Sequence, residues 1–408
     1  MTLIKTRPVN EYDDIPARAV TVKHAKGSLA TPAYAVSVAE IDQKFVKSED
    51  LRGVVEVFVR FRQELLEGVH NDLELRKKLE YRVNSYMNRV PGDQLVVAVP
   101  LIEGERGYAL TMNKASFYGI HIAELISHPR VDIVCTPTLH GIAEEHFDVL
   151  IEKFLETTTS FDVGVALSIP YYVSRAMWHR LIEIYLKAVN KNNRALLNFL
   201  CVDYNGSNPI SKYTLHNYVL RYVRTLQEEI GEPVVVYGVN VKYSRVARKY
   251  DELPARDLAS YFAQVDVFGK NHRRLPIPGD VAERLKSEES LKKQKLLNRR
   301  RYTYISLDKT IEDPNLAVPE ANRVRELVEE KRDRSLIERV VNRINMKSIL
   351  AEIDVLRPLF SGRGWQHFEN PIQYLNSKEV VKIDNVLTRR LKEFSKVLTS
   401  KRLDEYLG

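Results

Sequence analysis

The sequence predicts an α/β fold: a (β/α)8 TIM-type barrel followed by a helical C-terminal region. Three observations predict it. Short, almost continuously apolar runs recur from residue 33 to residue 307, as expected of parallel strands that are buried on both faces. Segments of helical period separate these runs. The count of runs reaches eight, and no glycine-rich phosphate loop follows the first one, which favours a closed barrel over an open doubly wound sheet.

The predicted strands follow one another in chain order. They are Ala33–Val38, Leu95–Ile102, Val131–Cys135, Val163–Ile169, Leu196–Val202, Val234–Val241 and Val265–Phe268, with Tyr302–Leu307 as the candidate eighth strand. The segment Leu51–Val90 has apolar residues at spacings of three and four and contains no proline, so we predict that it is helical.

The chain divides into two predicted parts. Residues 1–310 form the barrel, with an N-terminal extension and a basic helical insertion near 281–301. Residues 311–408 are predicted to form a helical C-terminal domain, because the sequence after Pro314 consists of long segments of helical period.

The composition and net charge of the chain limit the classes of protein to which it could belong. The chain has 408 residues, of which 44% are hydrophobic, and no apolar run approaches the roughly 20 residues that span a bilayer. The N-terminus lacks the apolar region of a signal peptide, so a cytoplasmic protein is expected. A net charge of +8 permits a nucleic-acid partner, tRNA or DNA, without requiring one. Abundant charged residues with few Cys and Met are typical of a thermophile.

Several common types of site are disfavoured. The sequence has no GxSxG, P-loop, GxGxxG or HExxH motif, which argues against serine hydrolases, P-loop NTPases, classical dinucleotide enzymes and zincins. Its two cysteines, Cys135 and Cys201, lie inside apolar runs and are predicted to be buried hydrophobic residues. Neither a metal nor a cofactor is predicted.

Candidate site residues follow from the rule that the active face of a barrel is built just past the carboxyl ends of its strands. The rule gives Asp203 and Glu103 as candidate catalytic residues, with His140 as a possible base. The candidate substrate-binding residues, which would hold a planar ring by stacking and by hydrogen bonds to its edge, are Tyr171, Tyr172, Tyr204, Asn205, Asn240, Lys242, Asn271 and His272. The alternative is structural: Asp203 would cap a turn, and Glu103 and His140 would lie in solvated loops.

Basic residues form two further candidate sites. Arg273 and Arg274 stand beside His272 and could clamp a phosphate, since guanidinium groups match its oxygens. A second run could follow a nucleic-acid backbone, or could simply be a solvated face; it consists of Lys292, Lys293, Lys295, Arg299, Arg300 and Arg301.

Two stretches resemble the tRNA-guanine transglycosylases. HAKGSLATPAYAVSV is similar to the opening of that family, where a short turn with a glycine leads to Thr-Pro and a strand. YGVNVKYSRVARKYDELPARDLASYFAQVDVFGKN is similar to the end of its barrel. The resemblance covers roughly residues 23–274. It implies a barrel, a nucleic-acid partner and, if the chain is an enzyme, a pentosyltransferase that acts on a purine-type base.

The chain also departs from the family's pattern. Gly269 occupies the position at which the family carries its nucleophilic aspartate, and Asp266 matches only the first acidic residue of that motif. The family's Asp-Ser-Gly-Gly run and its zinc cluster of three Cys and one His are not matched. A glycine cannot form a covalent glycosyl intermediate, so Asp203 or Asp266 would have to supply the nucleophile.

Three hypotheses therefore stay open. The chain is a transglycosylase-like enzyme, a non-catalytic nucleic-acid-binding protein that retains the barrel, or an unrelated barrel enzyme on a small phosphorylated metabolite.

Overall fold

The computed structural model of the chain describes residues 4–41, 51, 53–69, 72–172, 174–191, 195–243, 252–273, 291, 293–312, 320–330 and 332–399. Its centre is a closed barrel of parallel strands, which confirms the predicted fold class. Within these ranges, no helix combines the length and the apolarity needed to cross a membrane.

A small antiparallel sheet precedes the barrel. Its strands are β1 (Lys5–Glu11), β2 (Arg18–His24) and β3 (Gly27–Ala30), in the order β1-β2-β3. Val20, Val22 and Leu29 of this sheet share one apolar cluster with residues of the barrel interior. The sheet therefore closes the amino end of the barrel, where the sequence predicts only an extension.

The eight barrel strands follow one another around the barrel in chain order. They are β4 (Ala33–Ser37), β5 (Val54–Arg62), β6 (Leu95–Tyr108), β7 (Ile133–Cys135), β9 (Gly164–Ile169), β10 (Ala195–Ser207), β11 (Val235–Val241) and β13 (Val267–Gly269). A further strand, β8 (Thr138–Ile142), continues the line of β7 along the second half of β6. Parallel pairing of β13 with β4 closes the barrel.

Helices cover the outside of the barrel. They are α1 (Gln63–Val69), α2 (Leu73–Met87), α3 (Met112–Ile126), α4 (Phe147–Thr158), α5 (Arg175–Lys191) and α6 (Tyr213–Ile230), with a 3-10 helix at Leu258–Ala263 before β13. One large apolar cluster lies between these helices and the outward faces of the strands, and a smaller one fills the barrel interior. Cys135 and Cys201 are free and fully buried in the interior, as predicted.

The prediction that Leu51–Val90 is wholly helical is wrong for its first third. Val54–Arg62 is β5, the second strand of the barrel, and only α1 and α2 are helical. The sequence VVEVFVRFR alternates valines that face the helices with Glu56, Phe58 and Arg60, which face the interior. Alternation with β-branched residues is the pattern of a strand.

The candidate eighth strand is also placed differently. Residues Thr303–Ser306 do form a strand, β15, but it pairs antiparallel with β12 (Glu252–Pro254) and β14 (Lys295–Asn298) in a separate sheet. The barrel reaches eight strands through β5 instead. Most of the basic insertion lies outside the described residues, and its described end is the strand β14 rather than a helix.

The C-terminal region is helical, as predicted. Its helices are α7 (Leu307–Glu312), α8 (Ala321–Glu329), α9 (Arg334–Phe360), α10 (Pro371–Asn376), α11 (Val380–Ile383) and α12 (Asn385–Thr399). The first half of α9 joins α8 in a small core of its own, whereas its second half and α12 join the apolar layer around the barrel. Phe394 of α12, for example, packs against Tyr213 and His216 of α6.

Candidate functional site

Polar side chains collect at the carboxyl ends of the barrel strands. Asp203 on β10 is almost fully buried there, with a side chain that is 1% exposed. Its Oδ2 accepts a hydrogen bond from Nη2 of Arg273 at 2.7 Å, and its Oδ1 accepts from Nδ2 of Asn240 at 2.9 Å and from the backbone N–H of Asn205 at 2.8 Å. A cation and two further donors therefore occupy both oxygens of the Asp203 carboxylate.

The backbone around Asp203 adopts unusual conformations. Asn205 has φ 51°, Asn240 has φ 55° and Gly206 has φ 71°, all in the left-handed region that asparagine and glycine tolerate best. The sequence places those residue types at the ends of β10 and β11, so the two strands can turn sharply while Asn205 and Asn240 keep their hydrogen bonds to Asp203. Such conformations cost energy and cluster at functional sites.

A second buried carboxylate, Glu56 on β5, forms its own chain of hydrogen bonds. Tyr237 donates to Oε2 of Glu56, and Nε2 of His272 contacts Oε1. The His272 ring lies flat against Phe58, with 4.1 Å between ring centroids and 4° between planes. The backbone N–H of His272 donates to Oδ1 of Asn240 at 3.0 Å, which links this chain to the Asp203 network.

Glu103 and His140 form the exposed part of the face. Nδ1 of His140 lies 3.4 Å from Oε1 of Glu103, and the two side chains are 32% and 26% exposed. Arg60 holds the other carboxylate oxygen at 3.3 Å and donates to the backbone carbonyl of His272 at 2.7 Å. Burial and the positive charge of Arg273 lower the pKa of His140, while Glu103 and Asp203 oppose that shift. The imidazole is therefore neutral at pH 7.

Two tyrosines cover the buried arginine. Tyr171 packs edge-on against Tyr172, and the guanidinium of Arg273 lies 5.8 Å from the centroid of the Tyr171 ring. Burial raises the pKa of Tyr171, so the phenol stays protonated at pH 7. Among the described residues, neither Nε nor Nη1 of Arg273 nor the hydroxyl of Tyr172 has a hydrogen-bond partner, although all three atoms are buried. Unsatisfied buried donors are rare in proteins, and a ligand is one way to satisfy them.

The structure brings most of the predicted site residues to this one face. Those that lie there are Glu103, His140, Tyr171, Tyr172, Asp203, Asn205, Asn240, Asn271, His272 and Arg273. Lys242 follows β11, where its ammonium lies 5.3 Å from the ring of Tyr243. Arg274 lies outside the described residues.

Two predicted residues lie elsewhere. Asp266 directly precedes β13, at the amino end of the barrel, where Arg18 binds both of its carboxylate oxygens. Tyr204 faces outward, and its hydroxyl donates to Nδ1 of His216 at 2.7 Å, while Nε2 of His216 donates to the carbonyl of Ala263 at 2.6 Å. Burial lowers the pKa of His216 to about 4, which keeps this contact neutral and structural.

Most described residues of the predicted nucleic-acid-binding run have interaction partners, and two of them form ion pairs. Arg301 makes a two-pronged contact with Glu252, at 2.9 and 3.1 Å, and Arg299 lies 3.7 Å from Glu352. Arg300 is exposed. Lys293 and Lys295 also have interaction partners, and Lys292 lies outside the described residues.

The sequence analysis missed Glu56, Phe58, Arg60 and Arg62, because it assigned them to a helix. The signal that reveals them is the period-two alternation of VVEVFVRFR, which places a carboxylate and two arginines on the inward side of a strand. No group of three or more His, Cys, Asp or Glu side chains in the described ranges is arranged to hold a metal ion.

A scan against models of protein families finds no match, and a search of curated proteins finds no significant similarity.

Proposed function

We propose that this chain is a transglycosylase-like barrel protein that binds a purine-type base of RNA or DNA at the carboxyl-end face. The observation that carries the proposal is the Glu103–His140 pair. It is the partly exposed acid and base of a face whose other carboxylates, Asp203 and Glu56, are buried and held by neighbours. The family resemblance of the two quoted stretches supports the same ligand class.

The chemistry of the pair fits the edge of a purine. A carboxylate accepts hydrogen bonds from ring N–H and exocyclic amino groups, as Glu103 can do from its exposed position. In the tautomer whose Nδ1–H points at Glu103, Nε2 of the neutral His140 offers a lone pair to a further N–H of the ligand. Tyr171, which packs against Arg273 on the same face, is the candidate aromatic surface for stacking, which is worth about 1 to 3 kcal/mol per base.

Base exchange would require a carboxylate that attacks C1′ of the bound nucleoside as the bond from C1′ to the purine breaks, after which a second purine would reverse the step. Glu103 holds the edge of the base in this scheme, so Asp203 is the candidate nucleophile on the face. Attack would require Asp203 to release one of its present partners, which are Arg273, Asn240 and the Asn205 amide. Asp266 lies at the opposite end of the barrel and takes no part.

Calorimetric titration with guanine, adenine and cytosine tests the binding claim. We expect purine binding in the wild type and a loss of about tenfold or more in Glu103→Gln, because the amide replaces an anionic acceptor with a neutral one. Glu105→Gln is the matched control: it is exposed two residues further along β6 and should bind like the wild type. Equal purine affinity in Glu103→Gln, or no preference over cytosine, would overturn the proposal.

Incorporation of labelled guanine into RNA or DNA tests catalysis separately. Exchange should require Asp203 as well as Glu103, and it should persist in the folded fraction of Asp266→Asn. Binding without exchange would identify the chain as a non-catalytic base-binding protein.

A further inference from the structure

A cavity of about 860 Å³ opens beside the carboxyl-end face. It lies between helices α1 and α2 and the ends of β4, β5 and β13, and we call it the basic cavity after the cations Arg60, Arg62, Arg82 and Lys270 in its wall. Its volume falls within the range of about 300 to 1,000 Å³ typical of ligand pockets. Phe58 and Tyr86 contribute aromatic surface to the same wall.

The four cations differ in how far they are neutralised. Lys270 pairs with Glu40 at 2.7 Å, and Arg60 pairs with Glu103. Arg82 contacts only the hydroxyl and ring of Tyr86, one helical turn further along α2. Within the described part of the chain, neither Arg62 nor Arg82 has a carboxylate partner, and both are exposed to the cavity. Glu64 is the one carboxylate that lines the cavity among the described residues.

Two exposed guanidinium groups that face one cavity suit a phosphate. Each guanidinium presents parallel N–H donors that match the spacing of two phosphate oxygens, and charge-assisted bonds of this kind are about twice as strong as neutral ones. The sequence assigns a phosphate clamp to Arg273 and Arg274, but Nη2 of Arg273 is bound to Asp203 and its guanidinium is covered by Tyr171. Arg62 and Arg82 are the accessible pair.

Arg60 connects the basic cavity to the base-binding face. Its Nη1 contacts Glu103, its Nη2 contacts the backbone of His272, and its side chain also lines the cavity. We propose that the basic cavity binds the phosphate group of a purine nucleotide, with Arg62 and Arg82 as the phosphate-binding residues. This inference rests on the proposed function for the base, and it narrows the ligand from a purine to a phosphorylated purine.

Titration of a purine nucleoside against its 5′-monophosphate tests the proposal. In the wild type the phosphate should tighten binding by about tenfold or more. The variant Arg62→Gln/Arg82→Gln should lose that gain and keep the affinity for the nucleoside. The control Arg323→Gln/Arg325→Gln removes the same charge from two exposed residues of α8 that do not line the cavity, and it should keep the gain. A wild type that binds both ligands equally, or a cavity variant that keeps its preference, would overturn the inference.

Two further comparisons distinguish a failure of the phosphate site from a failure of the proposed base-binding function. Inorganic pyrophosphate should bind the wild type and not the cavity variant; if it does so while no purine binds, the phosphate site stands and the base-binding function falls. If the nucleoside binds and phosphate adds no affinity, the base-binding function stands and the phosphate site falls. A short oligonucleotide with one 5′-phosphate, compared with the mononucleotide, shows whether the phosphate comes from a polymer or from a free nucleotide.

Discussion

Each end of the barrel buries one arginine–aspartate pair, and the two pairs are built differently. At the amino end, Arg18 binds both oxygens of Asp266, at 3.0 and 2.7 Å, and gives its remaining donors to the carbonyl of Val234 and the side chain of Gln227. At the carboxyl end, Arg273 binds one oxygen of Asp203 through a single nitrogen. Its Nε and Nη1 are buried without a partner among the described residues.

The different hydrogen bonding of the two pairs indicates that the amino-end pair serves stability and that the carboxyl-end pair belongs to the candidate site. A buried ion pair holds a fold only when its remaining hydrogen-bonding groups are satisfied, and the amino end meets that condition under a covering sheet. The carboxyl end instead combines unsatisfied donors, left-handed asparagines and an adjacent cavity. This division agrees with the rule that the amino face of a barrel serves stability and the carboxyl face carries the site.

The largest loss of stability is expected when the amino-end pair of Arg18 and Asp266 is disrupted. Asp266→Asn leaves the charge of Arg18 buried without compensation, which should lower the free energy of unfolding by about 3 to 5 kcal/mol. Asp203→Asn also removes the carboxylate partner of a buried guanidinium, but it breaks one hydrogen bond to that group instead of two, so we expect a smaller cost of about 2 to 3 kcal/mol. Chemical denaturation followed by circular dichroism measures both values.

Asp93→Asn is the control for these two substitutions, because Asp93 is exposed and should tolerate the change. Equal costs for the two buried aspartates, or a larger cost at Asp203, would contradict the distinction between the ends.

A smaller loss of stability is expected from adding a methyl group at Gly269, where the carboxyl end of the barrel is tightly packed. A Cβ atom at Gly269 would lie 3.1 Å from the carbonyl oxygen of Ala35 and 3.1 Å from Oε2 of Glu56. Gly269→Ala should therefore destabilise the fold by about 1 to 3 kcal/mol, the usual range for overpacking. Gly92→Ala, where a Cβ would meet nothing within 4 Å, should change the melting temperature little. A melting temperature for Gly269→Ala equal to that of the wild type would show that Glu56 moves freely.

Much of the barrel could be predicted from apolar runs, because strands buried on both faces differ from their surroundings in hydropathy alone. The run that escaped prediction was β5, whose interior side carries Glu56, Arg60 and Arg62. Those polar residues break the apolar signal because they belong to the candidate site. Because these polar residues lie on β5 itself, they obscure the apolar pattern from which that strand would be predicted, as is common where function overrides local preference.

The placement of Asp266 shows a second limit. Asp266 is a candidate nucleophile in the sequence because it matches the first acidic residue of the late motif in the family that the chain resembles. A residue directly before a strand lies at the opposite end of the barrel from residues directly after it, so a three-residue strand separates Asp266 from Asn271 and His272. Contacts such as Arg60 with Glu103 join residues that are distant in the chain, and a single sequence does not encode them visibly.

The subtlest prediction compares one histidine from each end. Burial and Arg273 lower the pKa of His140. At the amino end, burial lowers the pKa of His24, where Asp132 opposes the shift and Lys26 adds to it. Arg273→Gln should therefore raise the pKa of His140, Glu103→Gln should lower it further, and neither should move His24. Two-dimensional NMR of the imidazole C–H groups during a pH titration measures the pKa values of His140 and His24 in the wild type and in both variants.

The lowered pKa of His140 also makes the stability of the fold depend on pH. Because the pKa of His140 in the folded state lies below its ordinary value of 6.5, the unfolded chain takes up the proton first as the pH falls. Its contribution to stability is present above pH 6.5 and is lost as the pH falls toward the lowered pKa, and Arg273→Gln should make that loss smaller. An unchanged pKa of His140 in Arg273→Gln would mean that the charge of Arg273 does not contribute to the lowered pKa.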